Sequence, residues 1–165
     1  MADARVLFSV LSDSAIYQFI PVDPPASPEE LKERFRRYCQ GPVQGHNEEW
    51  LNWMVSLEPE GIPVGTLQAT IFQTTHSASI AYLFGPPFWR QGLATEAVGA
   101  LTQWLIGQKV RSVTADIDVR NQSSIRLVRR LGFRLVSVRP KADFFKGGSS
   151  DEYSFVYDRR DLPST

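Results

Sequence analysis

The sequence predicts an α+β fold: a mixed, mostly antiparallel sheet with flanking helices and a central strand-helix-strand unit. Three observations support this prediction. Short β-like runs follow one another in the middle of the chain, a helical repeat begins near Gly92, and strand-like and helical segments alternate after it. No repeat, linker or low-complexity block interrupts this order. We therefore expect one domain over residues 1–165.

Composition and charge limit the classes of partner that the chain is expected to bind. Apolar residues make up 42% of the 165 residues and charged residues 22%, which is typical of a globular domain. Eighteen basic residues balance eighteen acidic ones, whereas sequence-independent nucleic-acid binding depends on many Lys and Arg contacts to phosphate. We therefore expect no nucleic-acid partner.

The chain shows no signal for export or membrane insertion. Residues 1–8 lack a positive region followed by a long apolar core, and no stretch approaches the ~20 apolar residues of a membrane span. Cys39 is the only cysteine, so no intramolecular disulfide can form. These features predict a cytoplasmic protein without a membrane partner, whose fold needs neither a disulfide nor a metal.

Two helices and a meander are predicted for the first half of the chain. Residues 12–19 indicate a first helix. Ser27 can cap a second helix, with Pro28 at its first position and Gly41-Pro42 at its end. Three β-like runs then follow, which we interpret as an antiparallel meander: residues 50–57, 64–73 and 78–84.

The second half of the chain predicts a crossover unit. Helical spacing of apolar residues covers 92–107, a strand covers 113–119, and a short helix covers 123–131, with Gly132 just beyond its end. Because strand-helix-strand connections are right-handed, strands 78–84 and 113–119 should lie side by side and parallel. Two final strands should flank a loop at 146–150: residues 133–138 and 153–157.

A loop with two prolines joins the strand ending at Phe84 to the helix that begins at Gly92. The first turn of a helix has unpaired N–H groups and a partial positive charge, both of which suit a bound diphosphate. Gly92 would permit a close approach, although a glycine before a helix is also a common turn residue. No GxxxxGK[ST] or GxGxxG motif is present, so neither a nucleotide-triphosphate enzyme nor a nicotinamide dehydrogenase is supported.

Two segments together resemble the GNAT family of N-acetyltransferases. The run Trp89-Arg-Gln-Gly92-Leu-Ala94 is similar to that family's Q/R-x-x-G-x-G/A acyl-CoA loop, with Trp89 at the first position as in the branch that acetylates ribosomal protein N-termini. Residues 118–133, with Asn121 and Ser124 three apart, look like that branch's strand-loop-helix. The resemblance covers roughly residues 5–158 and is loosest in the N-terminal part, which would shape the acceptor site.

The resemblance implies acetyl-CoA as cosubstrate and assigns residues to its binding. Main-chain groups of Tyr82, Leu83 and Phe84 would pair with the pantetheine amides and with the thioester oxygen. Asn121 would contact the pantetheine arm, and Arg130 stands where a basic residue could approach the phosphates. The diphosphate would lie on the N–H groups of Arg90, Gln91, Gly92, Leu93, Ala94 and Thr95.

Ser124 falls where relatives place a group near the CoA sulfur, so the resemblance makes it the candidate for helping the thiolate leave. The alternative is structural, because Asn121 and Ser124 are also spaced as a helix cap and a first-turn residue. The amine must in addition lose a proton. Six residues are available for that step and none is marked by spacing, so we name no base: His46, Glu48, Glu49, His76, Asp116 and Asp118.

The implied reaction is attack of a primary amine, in a small molecule or at a protein N-terminus, on the thioester of acetyl-CoA. Two alternatives stay open at this point: a catalytically weak CoA-binding sensor or partner module, and a binding protein unrelated to CoA. Residues 12–40 and 141–150 are expected to form the acceptor pocket. The sequence leaves open whether the chain forms a homodimer.

Overall fold

The computed structural model describes residues 4–42 and 47–161. A six-stranded mixed sheet forms its centre, in the order β1-β2-β3-β4-β6-β5. The strands are β1 (Glu48–Leu57), β2 (Ile62–Phe72), β3 (Ser77–Phe84), β4 (Ser112–Asp118), β5 (Arg134–Phe145) and β6 (Gly148–Asp158). The helices are α1 (Ala4–Leu11), α2 (Pro28–Gln40), α3 (Leu93–Gly107) and α4 (Gln122–Arg130). The predicted α+β class is confirmed.

Alternation along β3 sends side chains to cores on both faces of the sheet. Ile80 and Phe84 belong to the main core, which α3 and α4 cover. Leu83 points to the other face, where α1 and α2 pack against the sheet in a smaller cluster built on Leu7, Leu11 and Leu31. Over the described ranges, no helix combines the length and the apolar character needed to cross a membrane.

The helix predicted over residues 12–19 is wrong. Helix α1 occupies residues 4–11 instead, and residues 14–17 form a single 3₁₀ turn. The side chain of Asp13 accepts a hydrogen bond from the N–H of Ala15 at 2.8 Å, so a new cap separates this turn from α1. The second helix agrees with the sequence, because the Ser27 side chain caps α2 and Gly41, at a φ of 73°, ends it.

The prediction of a loop at residues 146–150 is also wrong, because most of this segment is strand. β5 and β6 pair as far as Phe145 and Gly148, which leaves only Lys146-Gly147 as the turn. Both turn residues have positive φ, 51° and 76°, as a type I′ hairpin turn requires. The composition of residues 147–150, Gly-Gly-Ser-Ser, is typical of a loop. Residues 148–150 nevertheless pair with β5 in the antiparallel ladder.

The predicted parallel pairing of strands 78–84 and 113–119 holds over only part of their length. β3 and β4 are parallel neighbours, and their pairing runs from Ser77 opposite Ser112 to Ser79 opposite Thr114. Beyond that point β3 continues to Phe84 and β4 to Asp118 without pairing to each other. The two strands therefore part, and we call the opening between residues 80–84 and 115–118 the β3–β4 gap.

Candidate active site

The β3–β4 gap exposes one main-chain edge of β3. The N–H of Gly85 donates to the carbonyl of Val64 on the β2 side at 3.0 Å. Hydrogen-bonded and non-hydrogen-bonded pairs alternate along antiparallel strands, so the main-chain groups of Leu83 face β2 while those of Tyr82 and Phe84 face the gap. The exposed edge of β3 can therefore accept an extended ligand chain.

Side-chain hydrogen bonds fix the loop that follows β3. The indole N–H of Trp89 donates to the carbonyl of Phe84 at 2.6 Å, and the side-chain amide of Gln91 donates to the carbonyl of Pro87 at 2.8 Å. The loop reaches α3 at Gly92, whose φ is 84°. A positive φ favours glycine strongly, which explains this residue at the start of the helix.

A pocket of about 340 Å³ lies at the start of α3, and we call it the α3 pocket. Gly92 precedes the helix and has no side chain to cap the N–H groups of its first turn. Three arginines from two elements line the same pocket: Arg90, Arg126 and Arg130. Open N–H groups, the helix dipole and guanidinium groups all favour a phosphate group.

A pocket of about 190 Å³, which we call the channel, lies between the α3 pocket and the interior of the β3–β4 gap. It shares Trp89 and Ala94 with the α3 pocket. It shares Tyr82 and Ser124 with a cavity of about 290 Å³ on the α1–α2 face of the sheet, which we call the gap cavity. The three spaces are therefore neighbours that share wall residues, in a row from α3 to the space beneath α2.

Tyr82 and Ser124 stand where the channel enters the gap cavity. The phenol oxygen of Tyr82 is buried and has no hydrogen-bond partner among the described residues. Burial raises the pKa of Tyr82 to about 12, and the nearby Ser124 hydroxyl opposes that rise without forming a hydrogen bond of regular geometry. A buried polar atom without a partner costs free energy, so this position suits a ligand that supplies one.

Asn121 acts as the cap of α4. Its side-chain oxygen accepts a hydrogen bond from the N–H of Ser124 at 3.1 Å, the arrangement that the spacing of the two residues predicted. This bond uses the main chain of Ser124, so its hydroxyl is not involved in the cap. Both residues also line the channel and the gap cavity, which places them together as the sequence implied.

The carboxylate of Asp118 has a structural role. It is buried, accepts two bonds from the Arg120 guanidinium at 2.9 and 2.6 Å, and accepts a third from the Ser150 hydroxyl at 2.6 Å. Burial tends to raise the pKa of this carboxyl, but the hydrogen bonds from Arg120 and Ser150 outweigh burial and lower it. Asp118 is therefore a weak proton acceptor that holds the end of β4.

Asp116 and Glu152 form a second, more accessible acidic group on the same face. The guanidinium of Arg139 lies 3.0 Å from Asp116 and 2.6 Å from Glu152, and the Ser154 hydroxyl donates to Asp116 at 2.5 Å. Burial raises the pKa of the Glu152 carboxyl, Arg139 opposes the rise, and Asp116 and other acids add to it. Among the described carboxyls that line the gap cavity, Glu152 is thus the one suited to accept a proton.

The structure separates the other candidate bases from this site. His46 lies outside the described residues. Glu48 and Glu49 are on β1, and His76 lies in the turn before β3, where it lines a different pocket together with Glu49. Glu152 was missed because no motif surrounds it. Its only signal is the alternation of polar residues along β6, which places it opposite Asp118.

The gap cavity differs from the predicted acceptor pocket at one wall. Residues between Tyr17 and Tyr38, within the predicted range 12–40, line this cavity, whereas Glu152 lines it and no residue of 141–150 does. The 141–150 segment acts indirectly instead, because the Lys146 ammonium donates to the carbonyls of Tyr17 and Ile20. The tip of the β5–β6 hairpin thereby holds the loop that forms one wall.

Comparisons with known proteins agree with this geometry. A family profile described as "Acetyltransferase (GNAT) domain" matches residues 1–134. No match was found among curated protein sequences. The chain is therefore similar to known proteins at the level of a family profile and of solved structures.

Several solved structures share the fold. A GNAT-family acetyltransferase from Bacillus anthracis has a TM-score of 0.80 at 22% identity, covering 96% of this chain and 90% of that one. Spermidine N-acetyltransferase from Vibrio cholerae, solved with CoA and spermine, has a TM-score of 0.79 at 16% identity, with the same coverages. A proposed ribosomal-protein-serine acetyltransferase from Vibrio cholerae has a TM-score of 0.76 at 18% identity, covering 94% and 88%.

The raised pKa of Glu152 predicts an unusual effect of pH on stability. Because the folded chain binds this proton more tightly than the unfolded chain, the stabilisation is complete below the ordinary value of 4.5 and is lost as pH rises through the raised pKa. Glu152→Gln should therefore melt no lower than wild type at pH 7.5, and its advantage should shrink towards pH 4. Thermal melts of both proteins over this range test it, with Glu60→Gln as a control in an exposed turn. A Glu152→Gln protein that loses stability most at high pH would contradict the direction of the shift.

Proposed function

The chain belongs to the GNAT family of acetyltransferases, and we propose that it transfers the acetyl group of acetyl-CoA to a primary amine by direct attack. One observation supports this most directly: the channel shares wall residues with both the gap cavity and the α3 pocket, so a peptide-like edge and an anion site lie at the two ends of one row of pockets. Pantetheine carries amides and CoA carries phosphates in that same order. We also propose that residues 1–165 form one domain.

The α3 pocket would hold the diphosphate. N–H groups from Arg90 to Thr95 would donate to the phosphate oxygens, with Gln91 and Leu93 contributing only their main chain because their side chains are used in the loop and in the core. Arg130, and Arg126 beside it, would supply positive charge. The pantetheine arm would then follow the channel past Asn121 to the gap, where the main chain of Tyr82 and Phe84 meets it. Leu83, for which the resemblance implied the same role, turns its main-chain groups to β2 instead.

Thiolate departure would take place beside Ser124. The attacking nitrogen forms a bond to the thioester carbonyl carbon, and the oxyanion is stabilised by an N–H of the exposed β3 edge. As the carbon–sulfur bond breaks, the nitrogen loses its extra proton and the sulfur takes up a proton, which gives the amide and the CoA thiol. The departing thiolate needs a hydrogen-bond donor, which the Ser124 hydroxyl can supply. The neutral phenol of Tyr82 lies close enough to Ser124 to support it.

The acidic group at Asp116 and Glu152 would receive the amine. An ammonium ion entering the gap cavity is attracted to these carboxylates, and it must lose a proton before its nitrogen can attack. Glu152 would accept that proton, since burial has raised its pKa towards the range where a base works near neutral pH. Arg139 would hold both carboxylates in place.

The resemblance to known acetyltransferases lies on the CoA side of the site. The run from Trp89 to Ala97 and the segment 118–133 resemble the branch that acetylates ribosomal protein N-termini, and one similar structure bears a related name. Both segments belong to the part of the site that would bind CoA. The wall that would face the acceptor is formed by residues 11–38, which lie outside these segments. We therefore propose a primary amine, carried either by a small molecule or by a protein N-terminus.

Gly92→Val should weaken CoA binding. The side chain would stand at the mouth of the α3 pocket, where the first-turn N–H groups must reach a phosphate. Gly61→Val is a matched control, because Gly61 also has a positive φ, 67° against 84°, and in both glycines an added Cβ would meet no atom within 4 Å. Each variant should lose a similar ~1–3 kcal/mol from backbone strain. Calorimetry with CoA should show at least a roughly tenfold loss of affinity for Gly92→Val alone; equal affinity in two folded variants would place the diphosphate elsewhere.

Ser124→Ala should reduce turnover more than it reduces CoA affinity. The substitution removes the donor proposed for the thiolate and keeps the N–H that Asn121 caps. We expect kcat to fall by roughly 10²-fold or more, the lower range of one general-acid contribution. Tyr82→Phe is the comparison variant, because it removes the neighbouring phenol oxygen and should have a smaller effect. Unchanged kcat for Ser124→Ala at saturating acetyl-CoA and amine would leave Ser124 with a structural role only.

A further inference from the structure

We infer that the acceptor is a small primary amine with a single positive charge and an apolar body, and that it is not a polyamine. This inference rests on the proposed acetyl transfer and concerns the wall of the gap cavity that faces away from the CoA path. The gap cavity has an acidic end and an apolar end, and the inference rests on this division.

The acidic end carries one unbalanced charge. Asp118 is paired with Arg120 through two hydrogen bonds and contributes no net charge. Asp116 and Glu152 share the single guanidinium of Arg139, so two carboxylates against one cation leave one negative charge. That balance suits one ammonium group, which would lie at the end of the cavity nearest Ser124.

The opposite end is mostly apolar, and the Tyr17 hydroxyl and the Arg34 guanidinium there are already paired. The segment before and within α2 lines it with Phe19, Ile20, Pro21, Val22, Leu31 and Phe35. The Tyr17 hydroxyl donates to the carbonyl of Leu11 at 2.7 Å. Arg34, the cation on this wall, donates from Nε to Glu30 at 3.0 Å and from Nη1 to the carbonyl of Asp23 at 2.8 Å. Its charge is therefore balanced by the carboxylate of Glu30.

The size of the gap cavity sets the size of the acceptor. Its volume of about 290 Å³ is near the lower end of the roughly 300–1,000 Å³ of small-molecule sites. A phenylethylamine-like molecule fits that space with its ring against Phe35 and its ammonium at the acidic end. A polyamine would place a second ammonium against the apolar wall, where the described lining residues include no carboxylate to balance it, and desolvating that charge is costly.

The apolar wall is confined by the fold, which favours a small acceptor over a peptide. Lys146 at the tip of the β5–β6 hairpin holds the loop at Tyr17 and Ile20 by donating to both carbonyls. A second positive charge on the protein thus stands behind the wall, further disfavouring a multiply charged amine. The peptide N-terminus remains an outcome of the test.

The test compares kcat/KM for three amines at saturating acetyl-CoA: 2-phenylethylamine, spermidine and a tripeptide with an N-terminal alanine. Release of the CoA thiol is the readout, and calorimetry with acetyl-CoA is run in parallel. Wild type should prefer 2-phenylethylamine over spermidine by at least about tenfold, because only spermidine must bury an unbalanced charge. A preference for spermidine or for the tripeptide overturns the inference while acetyl transfer stands. Absence of both acetyl-CoA binding and amine-dependent thiol release would reject the proposed function itself.

A variant pair tests the apolar wall directly. Val22→Asp places a carboxylate on that wall at a residue that is 43% exposed, and Val6→Asp makes the same change at a 48% exposed residue of α1 that does not line the gap cavity. Val22→Asp should move the ratio of the two kcat/KM values towards spermidine by at least about fivefold, because the new charge can pair with a second ammonium. Val6→Asp should leave the ratio unchanged. Equal shifts in the two variants, or no shift in either, would contradict the placement of the acceptor body against this wall.

Discussion

The parting of β3 and β4 after Ser79 is the constraint on which the rest of the site depends. Each strand is held along its length by its outer neighbour, β3 by β2 and β4 by β6. The inner edges can therefore separate without either strand losing its place in the sheet. Unpaired main-chain groups are costly unless a partner satisfies them. In the proposed function, a ligand with amide groups would satisfy these groups by completing the ladder that the strands leave open.

Charge on the open face divides into a structural and a functional part. Asp118 is held by Arg120 and Ser150, and its lowered pKa means that its ionised form stabilises the folded chain. Glu152, directly opposite it in the ladder, has a raised pKa and at neutral pH works against folding. Two neighbouring carboxylates thus differ in role because one has a full set of donors and the other is partly buried with acidic neighbours. Retaining a carboxylate that costs stability is consistent with a catalytic use.

The sequence predicted the parts of the structure that have local physical signals. Ser27, Pro28 and Gly41 mark α2, and the Gly92 loop and the Asn121–Ser124 cap are short-range patterns. Helix α1 was missed because its eight residues show little more than two turns of helical spacing, at Leu7 and Leu11, although Asp3 in the sequence is a residue type that caps helices. Glu152, Arg139 and the Tyr82 phenol were missed as site residues for another reason. They meet only when β4, β5 and β6 are paired in register and β3 parts from β4, which single-sequence periodicity does not encode.

Amide hydrogen exchange in the presence of CoA tests the central claim most directly. If pantetheine completes the open edge of β3, the N–H groups of Tyr82 and Phe84 should exchange more slowly when CoA is added, while that of Leu83, which faces β2, changes little. The alternation of protected and unchanged amides along three successive residues is specific to a ligand chain lying along this edge. CoA binding that leaves Tyr82 and Phe84 unprotected, or that slows all three amides equally, would contradict the account.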